Sequence, residues 1–184
     1  MTKLQFRGVL AAVALLAAGP AMSATENPMV GGAAMYPTKT IVENAVNSKD
    51  HTTLVTAVKA AGLVDTLSGP GPFTVFAPTN AAFAKMPEGT IAALTEPENK
   101  FLLTSLLTYH VVAGTMTSED IAAAIKAGGG KATLKTVQGH PLTATMMGDT
   151  LMLSDAKGNT SHVTIADVKQ SNGVIHVIDT VLMP

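Results

Sequence analysis

Asn172-Gly173-Val174-Ile175-His176-Val177-Ile178-Asp179-Thr180-Val181-Leu182-Met183-Pro184 is the stretch from which the fold is read. An Asn-Gly pair takes positive φ readily and makes a tight turn, and the Val- and Ile-rich run after it favours a strand. Alternate residues point to opposite faces. One face carries Val174, His176, Ile178, Thr180 and Leu182; the other carries Ile175, Val177, Asp179, Val181 and Met183. Both are mainly apolar, which predicts a central strand covered on both sides. Earlier segments must then come to it from far away in sequence.

Working back, residues 131–166 read as short strands with turns between them. Gly148-Asp149 as a two-residue turn pairs Met147 with Thr150, Met146 with Leu151, Thr145 with Met152 and Ala144 with Leu153. That register gathers Leu142, Ala144, Met146, Leu151 and Leu153 on one face, and a slip of one residue would mix the faces. The opposite face holds Thr143, Thr145, Met147, Thr150, Met152 and Ser154, where Met147 and Met152 need cover or a partner.

The preceding part is helical in texture. Thr40–Val46 predicts a short helix, and Asp50 stands as N-cap before Leu54, Val55, Val58, Ala61 and Leu63 at helix-face spacing. Ser68-Gly69-Pro70-Gly71-Pro72 stops it. Phe73–Ala77 is a short buried strand, after which Thr79 or Asn80 caps a helix. Thr95-Glu96-Pro97-Glu98 reads as a capping box opening a largely buried helix through Phe101, Leu102, Leu103, Leu106 and Leu107. Tyr109–Val112 reads as extended, and Thr117–Asp120 caps one more helix that ends at Gly128-Gly129-Gly130. Helices first and an antiparallel meander last make an α+β domain.

Three landmarks carry a family resemblance. Phe73–Phe83 (FTVFAPTNAAF), the pair Tyr109-His110 and the closing stretch from Asn172 resemble, in this order, the conserved boxes of the fasciclin domain. The resemblance covers residues 37–184 in a single copy. It implies a wedge-shaped antiparallel β-sandwich with several helices packed at one edge. It also implies structural roles for Asn80, Tyr109, His110, Asp167, Asn172, Gly173, His176 and Asp179. In animal members the segment around the Tyr-His pair resembles a cell-adhesion site, so Tyr109 and His110 join Met147 and Met152 as candidate contacts for a partner or an apolar ligand.

Composition narrows the function. Lys3 and Arg7, the apolar run Val9–Ala18 and the small residues around Ala24 predict a secretory signal peptide over 1–24, followed by a flexible leader over 25–36. A run of ten apolar residues is too short to span the ~30 Å hydrocarbon layer as a helix, and no later segment is long enough. The 184 residues include no cysteine, which excludes disulfides and thiolate sites. Cleavage removes the sole arginine, leaving ten lysines against 13 acids and nothing to grip nucleic acid.

The histidines are His51, His110, His140, His162 and His176, with no His-Glu-x-x-His and no pair at helical spacing, so no metal is expected. In apolar strands His110 and His176 read as hydrogen-bonded core groups, with Asp167 and Asp179 as candidates to fix their tautomers or tie turns to the core. No nucleophile elbow, P-loop or dinucleotide motif is present. The expectation is a non-enzymatic monomer without cofactor, periplasmic or extracellular, that adheres to a cell-surface or matrix component. The alternative is a carrier for a carotenoid or another apolar ligand.

Overall fold

The structure is a computed structural model and describes residues 27–184. The expected signal peptide and the first two residues of the leader lie outside the described residues. The rest of the leader corrects the expectation of flexibility. Gly31 and Gly32, both at positive φ, turn the chain between β1 (Met29–Val30) and β2 (Ala33–Ala34), and Val30 and Met35 are buried in the core. The glycines that suggested a loose tether close a hairpin, because positive φ is what a two-residue turn requires.

Helix α1 (Ile41–Ala45) opens with a capping box between Thr40 and Glu43. A 3-10 turn over Lys49–His51 leads into α2 (Thr52–Ala61). Asp50, the expected N-cap, lies exposed inside that turn; the cap comes from another segment, since Asn80 Oδ1 accepts the Thr53 N–H at 3.0 Å. After α3 (Val64–Ser68) and β3 (Phe73–Pro78), Thr79 caps α4 (Asn80–Ala84). Thr95 closes α5 (Thr90–Thr95) and opens nothing: its hydroxyl donates back to Ile91 O and Ala92 O, the competing bond a helical threonine makes.

Helix α6 (Lys100–Tyr109) buries Leu103, Leu106 and Leu107, but Phe101 is 81% and Leu102 55% exposed. Its apolar residues run round the helix, and only one stripe can face the core. Tyr109 and His110, expected in a strand, are the last turn and C-cap of α6; β4 begins at Val111 (Val111–Ala113). A capping box of Thr117 and Asp120 opens α7 (Ser118–Ala127). There follow β5 (Lys131–Lys135), β6 (Pro141–Met147), β7 (Thr150–Ser154), β8 (Thr160–Gln170) and β9 (Gly173–Ile178).

The sheet order is β4-β3-β9-β8-β7-β6-β5. β9 is central, as its two apolar faces demand. One neighbour, β8, is antiparallel; the other, β3, is parallel, with Phe73 opposite Gly173 and Pro78 opposite Ile178. The purely antiparallel expectation fails at this pair, whose connection is the long crossover that parallel strands need. Register shifts at Val163/Ile165 and Ile165/Val168 bend β8, so its two halves serve two leaves of a curled sheet. The far edges meet at a single bridge, Val112 to Thr136, and the sandwich approaches a barrel. The hairpin β6–β7 has the expected register throughout.

Alternation along β9 divides the core. Ile175 and Val177 join the helices' cluster with Ile41, Leu54, Val75 and Leu107, whereas Ile178 joins Phe76, Ile121, Leu142 and Leu153 inside the curl. The strand ends earlier than expected, yet Val181 and Leu182 beyond it remain buried. The turn before it is Ser171-Asn172, and Gly173 is already extended. Glycine is needed there for proximity: a Cβ would lie 1.9 Å from Phe73 O.

Candidate functional site

The polar residues singled out from sequence are gathered around the two central strands, and nearly all spend their hydrogen bonds on backbone. His110 is buried, its Nδ1 2.8 Å from Leu106 O and its Nε2 3.1 Å from the Leu182 N–H. The carbonyl can only accept and the N–H only donate, so the ring carries its proton on Nδ1 and is neutral. Burial pushes its pKa down to about 4, although the carbonyl of Leu106 favours the charged form. His176 is the mirror case. Nδ1 accepts from Asp167 N–H at 3.3 Å and Nε2–H donates to Met116 O at 2.9 Å, and burial again lowers its pKa. The two imidazoles do not share a bond. Phe76 stands between them: its N–H donates to His110 O at 2.9 Å, and its ring stacks on His176 with centroids 5.5 Å apart.

Tyr109 is fully buried, and its hydroxyl donates to Pro141 O at 3.1 Å, tying α6 to β6. Burial raises its pKa. Tyr109 and His110 are therefore not surface contacts, contrary to the adhesive role considered for them. Asn172 is a three-way clasp: Oδ1 accepts from Ile41 N–H at 3.1 Å, and Nδ2 donates to Leu67 O at 2.7 Å and Gly69 O at 2.9 Å. Asp167, the one non-glycine residue at positive φ among those described, accepts from the Ser118 N–H at 2.7 Å and from its hydroxyl at the start of α7. Asp179 accepts from His162 N–H, Ser161 Oγ and Thr180 Oγ1; burial draws its pKa up, but these bonds and Lys85 together hold it below the usual range.

Three groups escaped the reading of the sequence. Asp155 closes the β7–β8 turn through Lys157 and Asn159 and accepts from Met183 N–H at 3.0 Å, pinning the tail. Turns between these strands were legible in the sequence; the grip of this one on the tail was not. Asn44 is buried in α1 and bonds both backbone groups of Tyr36, with Gln170 on its other side. His51 is 3% exposed, with Nδ1 2.9 Å from Ser48 Oγ and Nε2 unpartnered. That Ser–His contact is sealed beneath the β1–β2 hairpin and has no carboxylate behind it, so it lacks the access and orientation a nucleophile needs. Among the described residues, no three His, Asp or Glu side chains gather to hold a metal ion.

Two kinds of space remain. Between α1, α2, α3, α6 and β3 lies an apolar cavity of about 40 Å³ lined by Ile41, Val58, Leu67, Val75, Leu107 and His110. Lys59 and His110 are its polar lining residues, and it has room for a few water molecules, far below the several hundred Å³ of a typical ligand pocket. On the surface, Leu94, Leu102, Ser105, Leu106, Met183 and Pro184 line an open groove of about 240 Å³, with Phe101 exposed on the neighbouring turn of α6. On the hairpin, Met147 is 56% exposed and Met152 half-buried, so no second layer covers that face. No described helix is long and apolar enough to cross a membrane.

Comparison with known proteins agrees with this architecture. Residues 49–184 match the family model of the fasciclin domain. The chain is 46% identical over 166 residues to protein sll1483 of Synechocystis sp., covering 89% of this chain and 84% of that one. It is 38% identical over 179 residues to the cell surface glycolipoprotein MPB83 of Mycobacterium bovis, covering 92% and 72%. Among solved structures, a domain pair from the insect cell adhesion molecule Fasciclin I superposes with a TM-score of 0.70 at 18% identity. That alignment covers 79% of this chain and 51% of the other, so the chain spans about half the length of the pair.

Proposed function

The chain belongs to the fasciclin-domain family, and on that premise we propose that it is an exported, monomeric, non-catalytic module that adheres to a cell-surface or matrix component. The observation that carries the reading is the division of labour among the side chains. His51, His110, His176 and Tyr109 are committed inside the fold, while Phe101 and Leu102 stand in solvent beside the groove that runs to Met183. Adjacent large apolar residues beside a groove are what a docking surface offers. Export is supported by the basic, apolar and small-residue order of residues 3–24, and the relative MPB83 is a cell surface glycolipoprotein.

The test is a double replacement, Phe101→Asp with Leu102→Asp, assayed for binding of the purified protein to cell envelopes and matrix preparations. Binding is lost while the melting temperature moves by no more than about 2 °C, because both sites are exposed. Undiminished binding by the folded variant refutes the α6 surface. The second reading is carriage of a carotenoid or lipid, favoured by the mainly apolar lining of the cavity between the helices and β3. It requires the elements around the cavity to move apart, since about 40 Å³ cannot hold such a ligand. A coloured or lipid-containing solvent extract of protein from its native host supports it; a clean extract with no uptake of added carotenoid removes it.

A further inference from the structure

The outer face of the β6–β7–β8 ladder carries a set of soft donors that the docking surface at α6 does not use. Met152 stands directly opposite His162 on the next strand. Met147 lies on the same face, two residues beyond Thr145, the partner of Met152 on β6. Leu142, Ala144, Leu151 and Leu153 point inward, so alternation turns Met147, Met152 and His162 outward. Met147 is 56% exposed, and the His162 side chain 39%. Met147 and Met152 are diagonal neighbours, ~7–8 Å apart and within reach of each other's long side chains. His162 is two strands from Met147, with Met152 between them, and methionine's three freely rotating bonds let both thioethers reach toward the ring.

A second observation concerns the ring. Asp179 Oδ2 lies 3.6 Å from His162 Nδ1. A carboxylate behind one imidazole nitrogen sets the tautomer and leaves the other nitrogen as a ligand, which is how metal-binding histidines are oriented. Lys85 Nζ is also 3.6 Å from that oxygen and shares the carboxylate.

We propose that Met147, Met152 and His162 Nε2 form a binding site for a single soft monovalent cation, copper(I), with Asp179 as its positioning residue. Two thioethers and one imidazole suit copper(I) and exclude the hard cations, which require oxygen donors. Zinc sites draw on cysteine, histidine and carboxylate, and copper(II) prefers a tetragonal set of nitrogen and oxygen donors. The chain has no cysteine, so thioethers are its only soft donors.

The experiment uses the full chain with carbon-13-labelled methionine methyl groups, titrated with silver(I) as a redox-inert probe. A parallel anaerobic competition sets copper(I) against a chromogenic chelator. The methyl signals of Met147 and Met152 move together and saturate at a single bound ion, while that of Met29, 60% exposed and on a different element, stays still. Loss of a ligand weakens retention by about tenfold or more, so Met147→Leu with Met152→Leu, and separately His162→Gln, release copper(I) to the chelator with unchanged melting. Met29→Leu leaves retention as it was. Equal movement of the Met29 signal, or copper(I) held as tightly by the folded double variant as by the parent, overturns the assignment.

Discussion

Acid should unfold this protein in a pH range set by its buried histidines. In the folded chain His110 resists protonation until about pH 4, whereas an unperturbed imidazole takes up its proton near 6.5. The unfolded state therefore binds more protons than the folded state between these values, and stability falls as pH falls. The contribution is fully present above pH 6.5 and is lost by about pH 4. A gap of 2.5 units, at 1.36 kcal/mol each, is about 3 kcal/mol, a substantial part of the roughly 5–15 kcal/mol that stabilises a domain. His176 and His51, also lowered by burial, act in the same direction. Asp155 and Asp179 have lowered values too, but they start from 3.8 and take effect below this window. Urea unfolding at half-unit steps from pH 7.5 to 4.5 measures the slope. The variant His110→Gln, less stable at pH 7, has a shallower slope by up to about 1.4 kcal/mol per pH unit. Identical slopes for the two proteins, or an imidazole resonance of folded His110 that titrates near 6.5, would refute the reasoning.

Two further outcomes follow from the side-chain clasps. Asn172→Ala strands one N–H and two carbonyls in buried surroundings, at about 1–3 kcal/mol for each group that water cannot reach. A loss of about 3 kcal/mol or more should appear as a lower urea midpoint with unchanged m-value. Asp167 combines positive φ with a cap on α7, so Asp167→Ala costs about 2 kcal/mol, while Asp167→Asn, which tolerates that backbone and keeps an acceptor, costs much less. Thermal melting of the pair separates the two contributions, and equal losses would show that the carboxylate's charge is what matters.

Much of the architecture was legible because period-two alternation is a strong signal where one face is buried. The β6–β7 register follows from Leu142, Ala144, Leu151 and Leu153 alone, and the central place of β9 follows from apolar residues on both faces. Local rules failed where a distant group took over a local task. Asp50 yields the cap of α2 to Asn80. Thr95 fails for a local reason, since its hydroxyl donates back into its own helix. No local pattern shows that β9 and β3 run parallel, since pairing partners are chosen by the whole sheet. His176 and Asn172 were identified as architecture, and their hydrogen bonds run to backbone; Asn80, identified likewise, bonds Thr53 N–H, Lys49 O and the Thr52 hydroxyl. Tyr109 and His110 were credited with contacts that their burial forbids. Phe101 and Leu102 were hidden by their composition, because an apolar helix does not announce which side it leaves uncovered.

The parallel union of β3 with β9 has a consequence for biogenesis. Phe73 and Gly173 are one hundred residues apart, and until the latter has been synthesised the helical half has no sheet to rest on. Closing so long a loop is entropically costly and slow. A polypeptide threaded amino end first through a translocation pore would stay slack and pullable for almost its whole length, then lock once the late strand slides into the gap.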